Sequence, residues 1–262
     1  MKHPRRRAVV RVSADVQLLK QIRVIKGDHP FWGYRRVWAY LRFVAGLTVN
    51  KKRVYRLLKE SNLLVRADTR LLAKRLSYTR KPRPERANQW WGIDMTKVMT
   101  GSGWAYVVLV LDWYSKKVVG HYCGEQSKSW HWLAALNKAV NRQFPKGIRE
   151  MEIELNLMSD NGSQPTSSSF METCAGLGIK QAFTAYNNPK GNADTERMMR
   201  TLKEELCWLR EWSSATELKT ALDTFVEEFN SDYLHSALGY KTPNAFEKEH
   251  FENQRATLNL AA

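Results

Sequence analysis

The sequence predicts an α/β fold in which a mixed five-stranded sheet is flanked by helices and preceded by a small, basic, all-helical domain. Short apolar segments separated by turn residues fill residues 90–123, which is typical of antiparallel strands. Strand and helix patterns then alternate from residue 130 to residue 184, which indicates parallel pairing. The charge is uneven, since residues 1–89 carry 24 Lys and Arg against 5 Asp and Glu.

Length and composition narrow the class of protein. With 262 residues, 43% of them hydrophobic, the chain is long enough to bury a core in one large or two smaller domains. No apolar run approaches the roughly 20 residues that span a bilayer, so we expect a cytoplasmic protein with no membrane partner. The three cysteines are far apart and lack zinc-ligand spacing, which argues against a structural metal.

The basic segment predicts a helical DNA-binding domain over residues 1–65. Residues 1–89 have a net charge of +19, which favours a polyanionic partner, because phosphate neutralisation releases counterions. Helical patterns occupy residues 14–26, 33–44 and 50–61, and the third follows a short turn as a recognition helix does. Its outward basic residues are predicted DNA contacts: Lys51, Lys52, Arg53 and Arg56. The alternative is an ordinary helical bundle with solvated lysines.

The remaining segments divide into a linker, a core and a tail. Residues 66–88 are basic and interrupted by prolines, which predicts an extended linker. We expect the catalytic core over residues 89–250 and a tail over residues 251–262. The predicted strands are 90–99, 105–112, 117–123, 153–158 and 180–184, and the predicted helices are 130–144, 167–177, 193–209 and 215–233.

Three acids on different predicted elements form a candidate catalytic and metal site. Asp94 lies within the first strand, Asp160 directly follows the fourth strand, and Glu196 lies in the first turn of the long helix. Ligands of α/β proteins usually bind beyond the carboxyl ends of the strands, and small residues after Asp160 leave it accessible. Asp112 is a rival ligand, but the sequence after it also reads as a strand-ending turn that Asp112 caps.

Converging carboxylates repel one another unless a cation neutralises them, and carboxylate oxygens in an open site suit Mg²⁺. Two such ions would activate a water or a 3′-hydroxyl and stabilise the leaving oxygen of a phosphodiester. Arg200 and Lys203 lie close to Glu196 around the helix. They are predicted, with Lys190 in the preceding loop, to grip a DNA end. Three unrelated surface acids are the alternative interpretation.

Several segments, taken in order along the chain, resemble a known family. They are GYRRVWAYL, VNKKRVYRLL, WGIDMT, LDWYSKKVVG, SDNGSQPTS, GNADTER with RTLKEEL, and YLHSALGYKTP. This series resembles the second-reading-frame catalytic protein of bacterial insertion-sequence transposases, which has a retroviral-integrase core. One departure is Pro165, which stands where a tyrosine is common in that family.

The resemblance implies an RNase H-like core and Mg²⁺-dependent transposition by a DDE triad, with Mn²⁺ as a possible substitute. Residue by residue, the triad falls on Asp94, Asp160 and Glu196, and a basic residue that touches the element's end falls on Lys203. The implied partners are the element's inverted-repeat ends, target DNA and further copies of the chain. A protein of an upstream frame, fused by frameshifting, is a further implied partner. An inactive DNA-binding repressor and a metal-dependent nuclease without strand transfer remain the alternative functions.

Overall fold

A computed structural model describes residues 6–65, 82–150, 153–184 and 189–261 of the chain. The chain divides into two compact units, Met1–Ser77 and Tyr78–Ala262. The predicted linker, residues 66–88, falls mostly outside the described residues. No helix within the described ranges is both long and apolar enough to cross a membrane.

The first unit is a bundle of three helices. Its elements are α1 (Arg6–Asp28), α2 (Tyr34–Ala39), a π-helical turn (Tyr40–Val44) that continues α2, and α3 (Lys51–Glu60). The interior is apolar and includes Ile22, Val37, Leu41, Val54 and Leu58. Asn50 accepts a hydrogen bond from the Lys52 backbone N–H at 2.8 Å and caps the start of α3.

The second unit is built on a five-stranded sheet with the strand order β3-β2-β1-β4-β5. The strands are β1 (Trp90–Thr100), β2 (Gly103–Asp112), β3 (Val118–Gly124), β4 (Asn156–Ser159) and β5 (Lys180–Phe183). The pairs β1/β2 and β2/β3 are antiparallel, and the pairs β1/β4 and β4/β5 are parallel. The predicted mixed five-stranded sheet is therefore confirmed.

Helices cover both faces of this sheet. They are α4 (Ser129–Gln143), α5 (Ser168–Gly176), α6 (Ala193–Leu202) with a π-helical turn (Lys203–Cys207), α7 (Ala215–Ser231) and α8 (Pro243–Ala261). Trp91 and Ile93 share a buried core with residues of α4 and α5. Because successive strand residues face opposite sides, Gly92 and Asp94 lie on the other face, where α6 packs.

The boundaries differ from the predicted ones in several places. Strand β4 begins at Asn156, so residues 153–155 precede it. Two helices predicted as continuous change to π-helical turns, one after Ala39 and one after Leu202. The segment set apart as a tail, residues 251–262, is helical up to Ala261 as part of α8.

Candidate active site

Asp94 occupies the middle of the longest strand of the sheet. It pairs with Leu109 across β1 and β2, and its side chain is half-buried. The carboxylate accepts a hydrogen bond from the Met95 backbone N–H at 2.8 Å. A central strand and a backbone donor together fix the orientation of this carboxylate.

Asp160 lies beside Asp94 at the carboxyl end of the neighbouring strand. The last paired residues of β1 and β4 are Gly92 and Met158, and each aspartate comes two residues later. The carboxylate of Asp160 is exposed and accepts a hydrogen bond from the Gly162 N–H at 3.1 Å. This contact explains the turn-forming residues after the strand, because it folds the chain back and leaves the second carboxylate oxygen facing solvent.

Glu196 reaches the same end of the sheet from α6. It is exposed in the first turn of that helix. The side-chain amide of Asn192 donates a hydrogen bond to the Ile93 carbonyl at 3.4 Å, so the start of α6 lies against β1 next to Asp94. A helix and two strands thus deliver one acid each to a common region.

The pKa of Asp94 reports the proximity of these groups. Burial is the largest cause that raises this pKa, from its usual 3.8 to about 6, and the charges of Asp160 and Glu196 raise it further. The hydrogen bond from Met95 and the charge of Lys203 act in the opposite direction. The structure therefore brings Asp94, Asp160, Glu196 and Lys203 into one electrostatic neighbourhood.

The carboxylate oxygens of Asp94, Asp160 and Glu196 suit a divalent cation. Carboxylate oxygens are the ligands that Mg²⁺ prefers, and the mutual repulsion felt by Asp94 is what a cation would relieve. Within the described parts of the chain, no three His, Cys, Asp or Glu side chains are already gathered closely enough to hold an ion. The three carboxylates therefore lie in one region without forming a complete metal site. Asp160 and Glu196, on the solvent side, are exposed.

Asp112, the rival ligand, is fully buried and faces away from solvent. Its carboxylate accepts hydrogen bonds from the Asn88 N–H at 2.7 Å, from the Ser115 N–H at 2.7 Å and from the Ser115 hydroxyl at 2.9 Å. These contacts close the turn between β2 and β3. The interpretation of Asp112 as the residue that caps this turn is confirmed. Its carboxylate is used in hydrogen bonds that stabilise the fold.

The three basic residues predicted to grip DNA have different surroundings. Lys203 is half-buried and interacts electrostatically with Asp94. Arg200 is exposed and donates to the Glu204 carboxylate at 2.8 Å, one helical turn away. The side chain of Lys190 lies outside the described residues. Lys203 is thus the one that the described structure places at the acids.

In the first unit, the predicted DNA contacts on α3 are not equally accessible. Arg53 and Arg56 both donate to the Asp15 carboxylate of α1 at 2.6 Å, and Lys51 lies 4.2 Å above the Trp38 ring. Lys52 is exposed. The exposed face of α3 also carries Tyr55, which sequence reasoning missed because an aromatic residue in a small bundle usually fills the core.

Comparison with known proteins defines the class of protein. Residues 13–70 match an HTH-like domain, and residues 84–189 and 177–243 match two models of the integrase core domain. A chain of the simian T-cell lymphotropic virus intasome, solved in complex with PP2A regulatory subunit B56 gamma, has a similar fold. Its TM-score is 0.53 at 15% identity, over 87% of this chain and 74% of that one. Together, the two integrase-core matches span residues 84–243 of this chain.

The chain is also similar in sequence to bacterial transposases. Transposase InsD for insertion element IS2A/D/F/H/I/K of Escherichia coli is 26% identical over 254 residues, which cover 90% of this chain and 80% of that protein. Transposase InsD for insertion element IS2-9 of Escherichia coli strain K12 is also 26% identical, over 90% of this chain and 78% of its own length. Both units of the chain therefore have counterparts in proteins of the transposase class.

Proposed function

We propose that the chain is a transposase that cleaves and joins DNA strands at the ends of its insertion sequence. The observation that carries this proposal is the electrostatic coupling of Asp94, in the middle of β1, to both Asp160 at the carboxyl end of β4 and Glu196 at the start of α6. Three carboxylates from separate elements, open to solvent on one side, form a site for a phosphodiester rather than for a small apolar substrate. The match to InsD transposases supports the same reaction class.

In this proposal each acid has a definable role. Asp94, Asp160 and Glu196 would together hold two Mg²⁺ ions, or Mn²⁺ in their place, which supply Lewis-acid activation of the attacking and leaving oxygens. Asp94 supplies the fixed oxygen ligand, because β1 and the Met95 N–H hold it in place. Asp160 and Glu196 are exposed, so they would face the bound DNA. Lys203 supplies a positive charge for the phosphate of the strand end.

The partners follow from the reaction. The first unit would bind the inverted-repeat ends through the basic exposed face of α3, and the second unit would act on those ends and on target DNA. Bringing two ends together requires at least two active sites, which favours a homo-oligomer. The substrate would place the protein at the nucleoid of a bacterial cell. A protein of an upstream frame, joined by frameshifting, would be a further partner.

A strand cleavage and joining assay tests the proposal. The intact chain is incubated with Mg²⁺ and labelled duplexes of the element's ends, and wild type is compared with Asp160→Asn. The variant removes one ligand charge and keeps the side-chain shape, so we expect loss of products with DNA binding retained. Asp232→Asn, the same change at an exposed site at the end of α7, is the matched control and should retain activity.

The products separate the alternatives. Cleaved and joined strands support a transposase, whereas cleavage without joining identifies a nuclease. Salt-sensitive binding without cleavage, in the chain alone and in its fusion to the upstream frame, identifies a repressor. Equal activity of wild type and Asp160→Asn would exclude Asp160 from the site.

A further inference from the structure

The start of α6 contacts β1 at a point where β1 has no side chain. A Cβ atom placed on Gly92 would lie 1.9 Å from the Thr195 hydroxyl oxygen, 2.5 Å from the Trp113 indole nitrogen and 2.7 Å from the Asn192 amide oxygen. All three distances are far below van der Waals contact. Only glycine permits the helix to lie this close to the strand.

A buried hydrogen bond spans this glycine. The indole N–H of Trp113 donates to the hydroxyl of Thr195 at 3.0 Å, and both side chains are almost completely buried. Gly92, Trp113 and Thr195 together form a contact that we call the α6 seat. Its two ends adjoin the proposed ligands, because Gly92 precedes Asp94 by two residues and Thr195 directly precedes Glu196.

The turn between β2 and β3 supports the α6 seat. The Lys116 ammonium donates to the Asp194 carboxylate at 2.9 Å, which ties the same turn to the first residues of α6. Lys116 adopts a left-handed backbone conformation with φ of 59°. A non-glycine residue in that conformation is uncommon, and here the hydrogen bonds of Asp112 and Ser115 hold the turn in place.

We infer that the α6 seat sets the separation of Asp94 and Glu196, so that Gly92, Trp113 and Thr195 are positioning residues for the proposed metal site. The inference rests on the proposed function. The seat touches no substrate atom and acts through the backbone of β1 and the first turn of α6. Groups that orient metal ligands are typically worth about 10-fold to 100-fold in metal affinity.

Matched substitutions at Thr195 test the inference without catalysis. Thr195→Val keeps the shape of the side chain and removes the hydroxyl, whereas Thr195→Ser keeps the hydroxyl. Free Mn²⁺ is measured by electron paramagnetic resonance during titration of the intact chain, and each melting temperature is recorded. We expect Thr195→Val to weaken Mn²⁺ binding about 10-fold and Thr195→Ser to bind nearly as wild type does.

Trp113→Phe removes the other partner of the same hydrogen bond. It should weaken Mn²⁺ binding as Thr195→Val does, and the double variant should bind no more weakly than either single one. Tyr114→Phe is the control, because it removes a hydrogen bond from the same turn to His250 of α8. The control should lower the melting temperature at most and leave Mn²⁺ binding unchanged.

The outcomes separate the inference from the function on which it depends. If Thr195→Val and Trp113→Phe melt at lower temperature but bind Mn²⁺ as wild type does, the positioning role is overturned and the proposed function is left intact. Weakening by Tyr114→Phe to the same degree also overturns it, since the effect is then general. A wild-type chain whose Mn²⁺ binding is absent, or unaffected by Asp160→Asn, overturns the proposed metal site and the inference with it.

Discussion

Asp94 and Asp160 each lie two residues beyond Gly92 and Met158, the last paired residues of two parallel strands, and the charge of Asp160 raises the pKa of Asp94. Two carboxylates in that relationship hold unfavourable electrostatic energy when both are ionised and no cation is present. This relationship makes the stability of the second unit depend on pH and on divalent metal.

The contribution of Asp94 to the stability of the metal-free protein should fall as the pH rises from about 4 to about 6. The pKa of Asp94 is about 6 in the folded chain and 3.8 in the unfolded chain. Between these values the folded state binds the extra proton, so the free energy of unfolding decreases with pH. Denaturant unfolding in EDTA across this range measures the decrease.

Asp94→Asn is the comparison for this measurement. The amide does not ionise, so the decrease in the free energy of unfolding between pH 4 and 6 should become smaller than in wild type. Addition of Mg²⁺ near pH 7 should stabilise wild type and leave the variant almost unchanged. Identical pH profiles would show that Asp94 ionises normally in the fold.

Asp112→Asn should destabilise the protein, because the buried carboxylate accepts three hydrogen bonds and the amide presents a donor to at least one of the same N–H groups. We expect a loss of about 1–3 kcal/mol in the free energy of unfolding. Asp232→Asn, at an exposed position, should change it by less than about 0.5 kcal/mol. Urea denaturation of the two variants measures the difference, and equal stabilities would contradict the structural role.

Lys52→Gln should weaken DNA binding, because Lys52 is exposed on α3. If it contacts one phosphate, the slope of log affinity against log salt concentration should become less negative by about 1. Fluorescence anisotropy of a labelled duplex at several salt concentrations measures the slope. Lys248→Gln, the same charge change on α8, should leave the slope unaltered.

Asp15→Asn should strengthen DNA binding rather than weaken it. Asp15 holds Arg53 and Arg56 through contacts of 2.6 Å, and its loss would remove one carboxylate partner from each guanidinium group, although Arg56 keeps its pair with Glu60 at 3.0 Å. The pKa of Asp15 is lowered, chiefly by its hydrogen bond with Arg56, so the carboxylate is ionised at neutral pH. In the same anisotropy assay, we therefore expect the slope of log affinity against log salt concentration to become more negative. Weaker binding would mean that Asp15 orients these arginines for DNA.

Sequence patterns predicted the sheet well, because β1 and β2 are largely apolar segments with turn residues between them. They also led us to expect that Asp94, Asp160 and Glu196 form one site, since ligands of α/β proteins usually bind beyond the carboxyl ends of strands, and the catalytic role of these acids stays a prediction. The pairing of Arg53 and Arg56 with Asp15 was not predictable, because the partners are 38 and 41 residues apart.

The α6 seat had a weak signal in the sequence. An isolated glycine inside an apolar strand marks a close approach of another backbone or side chain, and Gly92 is such a residue. Its partners, Trp113 and Thr195, lie 82 residues apart in the chain and carry no local pattern that links them. The π-helical turn after Leu202 was also missed; there the next buried residue is Cys207, five positions along the chain.

The three acids stand on supports of unequal stiffness. Asp94 belongs to an eleven-residue strand with neighbours on both sides, whereas Asp160 follows a strand of only four residues and begins an exposed loop. Short, solvent-exposed segments open at lower free energy than central strands. The proposed site would thus have one rigid side, at Asp94, and one more flexible side, at Asp160. This difference would let a single active site accept two DNA duplexes of different shape, the element's end and the target.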